Sequence, residues 1–490
     1  MKKRKILLYI IFVIILFLFI LGITPLSFQN DTLFDISLGN KYINKGLTTN
    51  DDYSIHENLE YTPQHFMVNV ITYLIYNFSG FFGLYILCVT LTCILAFLFY
   101  AANKLFVKNK LTSYLVVFAE LSILIPFISI RAQMYSYIFF LLELIFIEKF
   151  LRSKQYKYLI PLSILPLFII NFHAGTIYFY FIIIFVYLLN YLKIKTSKIE
   201  YNKEYVTNLK YLSIPIICGL LLTFVNPFGY NQILYCAKTL SNSFINTYIS
   251  EFQPINIKNT CGEFFYIYLL LIIVSALYTK KKIKLERIFL LLGTSFMTLM
   301  TLRHFSLFVI FTVPCLEYME ELVINFKNLL YKGVTKKGIK VLRITIIEIY
   351  LLIAICFSVK NSLNNNISGY LPKSEYPIDS VNYIKENIGN DSRIFNEYTY
   401  GSLLMFNDIK CFIDSRCDLY TKEYNKGCTV ADDYINAINC TGNYEEILTK
   451  YSIDYLLISK DSALAKNIFN NSEYDKLFED KISYVIKVKK

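Results

Sequence analysis

The chain is built around repeated apolar stretches, each long enough to cross a bilayer, and that repetition limits what it can fold into. About 20 consecutive apolar residues span a hydrocarbon core as one helix. Ile6 to Leu26 carries no charge and follows the basic start MKKRK. Further apolar runs lie at about 81–103, 112–130, 134–151, 157–172, 174–192, 209–225, 264–279, 286–302, 305–323 and 342–359. Inside a bilayer every backbone N–H and C=O must find a partner, and a helix supplies one within its own segment. The expected fold class is an α-helical polytopic membrane protein of about 11 transmembrane helices. The first run lacks the short core and small-residue cleavage site of a signal peptide and reads as an uncleaved helix.

Charge then gives the orientation. A formal net charge of +12 in a soluble chain would raise nucleic acid as a partner. Here only 18% of residues are charged, 55% are apolar and the mean hydropathy is +0.44. With the amino end in the cytoplasm, the inner loops hold 27 Lys and Arg and the outer loops hold 6. That asymmetry is the positive-inside signature of a multi-pass cell-membrane protein, so no nucleic-acid partner is expected. The chain has 42 Tyr, 41 Phe and no Trp, so any sugar-stacking platform must come from Tyr and Phe. Eleven cysteines fall below disulfide-scaffold density, and no Cys/His spacing suggests a structural zinc site.

From about 361 the texture becomes polar and turn-rich. Helical patterns (378–388, 400–406, 462–469) alternate with short strand patterns (393–396, 410–413, 455–458), and two β-rich segments close the chain. The expected division is a transmembrane domain over 1–360, with a long first outer loop at 27–65, and an extracytoplasmic α/β domain over 361–490. NSLNNNISG (361–369) reads as the linker.

Chemistry gathers on the outer face. The first outer loop carries Asp31, Asp35, Asp51, Asp52, Glu57 and Glu60, with His56 and His65. Asp31 and Asp35 stand four apart, which on a helix puts both carboxylates on one face. They are candidate general bases; the alternative is that Asp31 caps the helix and the other acids are solvated. Arg131 with Gln133, Asn171 with His173, Asn226 with Pro227, and Arg303 with His304 fall at outer helix ends. Singly these are snorkelling or stop residues; together they form a cationic mouth suited to a phosphate on a lipid tail. Glu120 and Glu143 lie inside spans and favour a transporter alternative, or are neutral hydrogen-bonded carboxyls. In the outer domain Asp414, Arg416 and Asp418 alternate, as an ion-pair network or as an acceptor contact. No P-loop, GxGxxG, HExxH or GxSxG motif is present.

The order of these features resembles the GT-C superfamily of membrane glycosyltransferases. More closely, it looks like a broad group of bacterial membrane proteins related to the protein-mannosyltransferase and aminoarabinose-transferase branches. The residues carrying the resemblance are DTLFDISLGNKYINKG and DDYS in the first loop, RAQMYSY, NFHAG, NPFGY, and RIFNEYTYGSLL followed by CFIDSRCDLY. It implies transfer of a sugar from a polyprenyl-phosphate donor to the hydroxyl of a glycan, lipid or protein acceptor outside the membrane, with inversion. Asp31 would be the base, with Asp35 second. Arg131, Gln133, Arg303, His173 and His304 would hold or line the phosphate. Asp52, His56, His65, Asp414 and Arg416 are secondary candidates. No resident cofactor is required; a divalent metal is compatible with the resemblance, but no residue spacing calls for one. The chain departs from the pattern where the acidic pair is four apart, where Arg-Pro-Gln reads Arg131-Ala132-Gln133, and where His-Glu-Trp reads Gln64-His65-Phe66. The rival class is a transporter or flippase of a lipid-linked or soluble glycan. A third is a non-catalytic cell-envelope assembly protein.

Overall fold

The structure is a computed structural model that describes residues 2–240, 242–330, 369–389, 392–469 and 471–489, with isolated positions between 335 and 363. The expected last span at 342–359 and nearly all of the linker lie outside the continuously described residues. The described chain is mostly helical and divides into two compact units. Unit 1 comprises Met1–Pro25, Tyr85–Asn226 and Ser250–Asn364; unit 2 comprises Leu26–Leu84, Pro227–Ile249 and Asn365–Lys490.

Unit 1 is a set of apolar helices, among them Lys2–Ile23, Lys110–Leu124, Ala132–Ser153, Leu159–His173, Thr260–Tyr278 and Leu285–Met300. Among the described residues three helical stretches are long and apolar enough to cross a membrane: Phe66–Phe106, Tyr156–Leu192 and Thr260–Tyr278. Several of the other apolar helices are shorter, because turns interrupt the runs. Pro126 lacks an N–H and sits in the 3₁₀ turn Ile125–Phe127, which ends one run early. The 3₁₀ turn Ala174–Thr176 joins the expected runs at 157–172 and 174–192 into one interrupted stretch. Large apolar side chains stay exposed, Phe97 and Leu221 at 67% and Leu277 at 71%, as lipid-facing positions require.

Toward the end expected in the cytoplasm, unit 1 is pinned by polar contacts. A two-stranded parallel pairing joins β1 (Ile199–Glu200) to β2 (Ile283–Lys284), with a Lys284–Glu200 ion pair at 2.8 Å. Buried Glu148 accepts from Arg152 at 2.8 Å, from Tyr187 at 2.8 Å and from Tyr205 at 2.7 Å. A carboxylate this deep is tolerable because each lone-pair direction meets a donor.

Unit 2 assembles three distant segments. Helix Asn30–Asn44 and the start of helix Phe66–Phe106 come from the first outer loop region. The second helix is broken at Ser79 and Gly80, where Gly80 takes φ 60° and ψ −155°, a region essentially reserved for glycine. The carboxyl-terminal segment contributes a mixed sheet of order β3 (Ile394–Asn396), β4 (Tyr455–Ser459), β6 (Ser483–Val488) and β5 (Tyr474–Glu479). Strands β3 and β4 are parallel, the other pairs antiparallel. Leu33 of the first helix packs into the core formed by Val381, Leu403, Leu404, Leu457 and Val485. Each such side chain contributes about 1.5–3 kcal/mol on burial.

The strand expected at 410–413 does not form. Its backbone is taken up instead by the first loop and by a side chain: Cys411 N bonds Tyr53 O at 3.0 Å, Ile55 N bonds Cys411 O at 2.9 Å, and Phe412 N bonds Asn396 Oδ1 at 2.7 Å. Helix Gly401–Phe406 packs directly on this segment. A Cβ on Gly401 would sit 2.0 Å from the carbonyl oxygen of Ile413 and 2.9 Å from Asp414 Cβ. Gly401→Ala is therefore expected to destabilise unit 2 by about 1–3 kcal/mol, read as a lower denaturant midpoint in detergent. An unchanged midpoint would mean the backbone yields freely.

Candidate functional site

Helix Asn30–Asn44 presents its two aspartates differently. Asp35 is 1% exposed and accepts from Asn69 Nδ2 at 2.5 Å, with His65 Nε2 at 3.3 Å. Asn69 and His65 meet it together because they share the first turn of the next helix, Asn69 N bonding His65 O at 3.0 Å. The approach requires glycine: a Cβ on Gly39 would fall 2.2 Å from the Asn69 carbonyl oxygen. Asp31 is half-buried in the helix's first turn, where the exposed N–H groups favour an anion. It lies within electrostatic reach of Tyr376 and Tyr398. Asp35 thus holds its neighbours in place, while Asp31 keeps access to solvent.

The secondary candidates of unit 2 form a closed ionic cluster. Arg416, 1% exposed along its side chain, grips Asp414 through Nε at 2.9 Å and Nη2 at 2.6 Å, and Asp51 through Nη1 at 2.6 Å. Tyr420 donates to Asp414 at 2.7 Å, and the guanidinium lies 5.7 Å from the Tyr53 ring and 5.5 Å from the Tyr61 ring. Arg416 and Asp414 therefore offer no surface to an acceptor, and the alternation expected on a strand is replaced by a tight return of Arg416 onto Asp414. Burial works to raise the Asp51 pKa, but the attraction of Arg416 and hydrogen bonds from Ser54 and Tyr53 outweigh it and hold the carboxyl below its usual range. His56 Nε2 meets the Phe412 carbonyl at 2.8 Å, and burial lowers its pKa to about 4, so it is neutral at pH 7. Asp52 pairs with buried Lys41 at 3.0 Å. Asp418 accepts from Gln64 at 3.2 Å, and burial raises its pKa.

Unit 1 holds the cationic candidates. Arg131 precedes helix Ala132–Ser153, with Gln133 half-buried in that helix's first turn. Its guanidinium meets Glu251 in a two-point pair, Nη1 to Oε1 at 2.5 Å and Nη2 to Oε2 at 3.2 Å. Burial pushes the Glu251 carboxyl up, but Arg131 and then Arg303 draw it below its ordinary value. Arg303 Nη2 sits 3.4 Å from His173 Nε2 and its guanidinium lies 5.2 Å from the Phe252 ring. A guanidinium only donates, so the His173 nitrogen facing it is the acceptor and the Nδ1 proton goes to Ser136 Oγ at 2.7 Å. His304 Nδ1 contacts Thr301 Oγ1 and the Met297 carbonyl, and its ring meets Phe179 edge-on. An apolar groove is lined by Phe179, Ile183, Leu290, Met297 and Leu307, with His304 in the same wall.

Glu251 was not among the sequence candidates. The signal was available: Arg131 stands on an otherwise bare helix end, and Glu251 is the one acid in the segment 226–262. Of the intramembrane acids, Glu120 accepts from Asn103 at 2.9 Å, whereas both Glu143 oxygens are buried without a partner among the described residues. Among the described residues no group of three or more His, Cys, Asp or Glu is placed to hold a metal.

The fold is shared with solved structures of an oligosaccharyltransferase and of ArnT. The chain is similar to the oligosaccharyltransferase AglB of Archaeoglobus fulgidus in complex with an inhibitory peptide and a dolichol-phosphate: 10% identity, TM-score 0.59, covering 93% of this chain and 70% of that one. The apo form of the Archaeoglobus fulgidus enzyme gives the same score and identity, with 89% of this chain matching 66% of that one, so the chain spans about two thirds of its length. ArnT from Cupriavidus metallidurans bound to undecaprenyl phosphate matches at 9% identity and TM-score 0.55, over 99% of this chain and 98% of that one. No protein-family model matches the chain, and no curated protein sequence does.

Proposed function

We propose that the chain is an integral membrane glycosyltransferase that moves a sugar from a polyprenyl-phosphate donor to an acceptor hydroxyl outside the cell membrane, with inversion. The observation that carries this reading is the pair of guanidinium groups, Arg131 and Arg303, acting on one carboxylate at the ends of apolar helices, with His173 against Arg303 and an apolar groove whose lining includes the adjacent His304. A half-buried guanidinium pair, one member of which holds a carboxylate at two points, suits a phosphate in the same place. Two proteins of this fold have been captured with dolichol-phosphate and undecaprenyl phosphate.

In this mechanism the acceptor oxygen attacks the anomeric carbon as its proton passes to Asp31. The bond from that carbon to the phosphate oxygen breaks, and its electron pair leaves on polyprenyl phosphate, which Arg131 and Arg303 neutralise. A single displacement inverts the centre, and cations placed before the charge develops stabilise the transition state. The carboxyl-terminal domain faces outward and the amino end lies in the cytoplasm.

Binding of radiolabelled undecaprenyl phosphate to the protein in nanodiscs tests the phosphate seat. Each charge-assisted contact is worth about 1.5–3 kcal/mol, so Arg131→Ala and Arg303→Ala should each weaken binding about tenfold or more, and the double variant should lose saturable binding. Wild-type affinity in the double variant would sink the assignment. Export of a lipid-linked glycan is the second reading, favoured by the unpartnered Glu143. It gains if Glu143→Gln stops a proton-dependent flux in proteoliposomes while transfer assays stay silent.

A further inference from the structure

A cavity of about 540 Å³ opens in unit 2 at the carboxyl ends of the parallel strands β3 and β4. Its walls include Thr399 and Tyr400, just past β3, and Ser459, Lys460 and Asp461, at the end of β4. The crevice beyond the carboxyl ends of parallel strands is where open sheets place their ligands, since the connecting turns diverge there. The size is right for a small-ligand cleft, roughly 300–1,000 Å³.

Two observations tie this cavity to the proposed chemistry. Asn30, the residue before Asp31, forms part of the wall, and its Oδ1 is buried without a hydrogen-bond partner among the described residues. Tyr376, also in the wall, lies within electrostatic reach of Asp31. A buried acceptor left without a donor costs about 1–3 kcal/mol, which a ligand hydroxyl would recover.

The lining fixes the ligand class. Lys460 and Lys481 are offset by Glu375 and Asp461, so the cavity has no net charge to attract a polyanion or a basic peptide. Lys460 is further engaged with Glu479 at 3.8 Å and with the Tyr484 ring. Hydroxyls of Ser374, Thr399 and Ser459 can both donate and accept, as the hydroxyls of a saccharide require.

We infer that this cavity is the acceptor seat and takes the end of a neutral carbohydrate chain, presenting one of its hydroxyls to Asp31. The inference rests on the glycosyl-transfer reading and names its acceptor class. It is tested on the full-length protein in nanodiscs, without donor, by saturation-transfer NMR and titration with maltohexaose as a neutral oligosaccharide, polyglycerol phosphate as an anionic polymer, and a neutral hexapeptide. Thr399 is exposed, so Thr399→Trp fills the cavity without touching the core. The expected result is saturable binding of maltohexaose alone, weakened tenfold or more by Thr399→Trp, with undecaprenyl-phosphate binding unchanged in the same variant. Preferential binding of the polymer or the peptide, equal binding by Thr399→Trp, or no saccharide binding at all would overturn the inference. Retained saccharide binding with no binding of undecaprenyl phosphate would instead overturn the donor reading and leave the cavity a carbohydrate site.

Discussion

Asp31→Asn is expected to lower sugar transfer by about 10²–10⁴-fold, the usual contribution of a positioned general base. The substitution keeps the size and the polar contacts of the side chain while removing the proton acceptor, so undecaprenyl-phosphate binding should stay at the wild-type level. Transfer from radiolabelled polyprenyl-phosphate sugar in proteoliposomes, with donor binding measured on the same preparation, separates the two effects. Asp35→Asn should behave otherwise. Asp35 is buried against Asn69 and His65, so its loss should appear first in the stability of unit 2. Wild-type transfer by Asp31→Asn would end the base assignment; a loss of transfer confined to Asp35→Asn would move the base there.

Arg416→Met should destabilise unit 2 by about 3–5 kcal/mol, because it strands buried carboxylates that the guanidinium now holds. The readout is local: Cys411 is fully buried and its Sγ contacts Asp414 at 3.4 Å, so its alkylation rate reports opening of this cluster. The pH dependence should change sign. In the wild type the Asp51 pKa is depressed, so its contribution is fully present above the unfolded value and is lost as pH falls through the folded one. Acid should therefore loosen the native cluster. In Arg416→Met the orphaned Asp51 is relieved by protonation, and mild acid should slow alkylation instead. Identical pH profiles for the two proteins would show that the ion pair carries no weight. Replacing Arg416, Asp414 and Asp51 together by apolar side chains of similar volume should recover most of the loss, since the charges have then gone as a group.

The sequence was most legible where a pattern is local. Uncharged runs of spanning length and the skew of Lys and Arg between loops need no distant partner to be read. The short strands at 393–396 and 455–458 also stand out locally, and both form as β3 and β4 within a residue or two. Legibility failed where the partner lies far along the chain. The segment 410–413 has the composition of a strand, yet Tyr53 and Ile55 take its backbone groups. Arg416 between two acids advertises an ion pair, but Asp51, the third partner, stands in the first loop. Asp31 and Asp35 are equivalent by spacing; only the packing of Asn69 and His65 separates them. Glu251, opposite Arg131, carries no motif at all.

The Asp51–Arg416 contact also sets an order of events. The two residues are 365 positions apart, so the first loop is made long before its counter-ion exists. At about 5–20 residues per second of synthesis, the interval is roughly 20–70 s. Through that time Asp51 must stay hydrated, and unit 2 cannot close. Unit 2 is therefore completed only by its carboxyl-terminal segment, and a chain that stalls before residue 416 leaves Asp51 without a guanidinium.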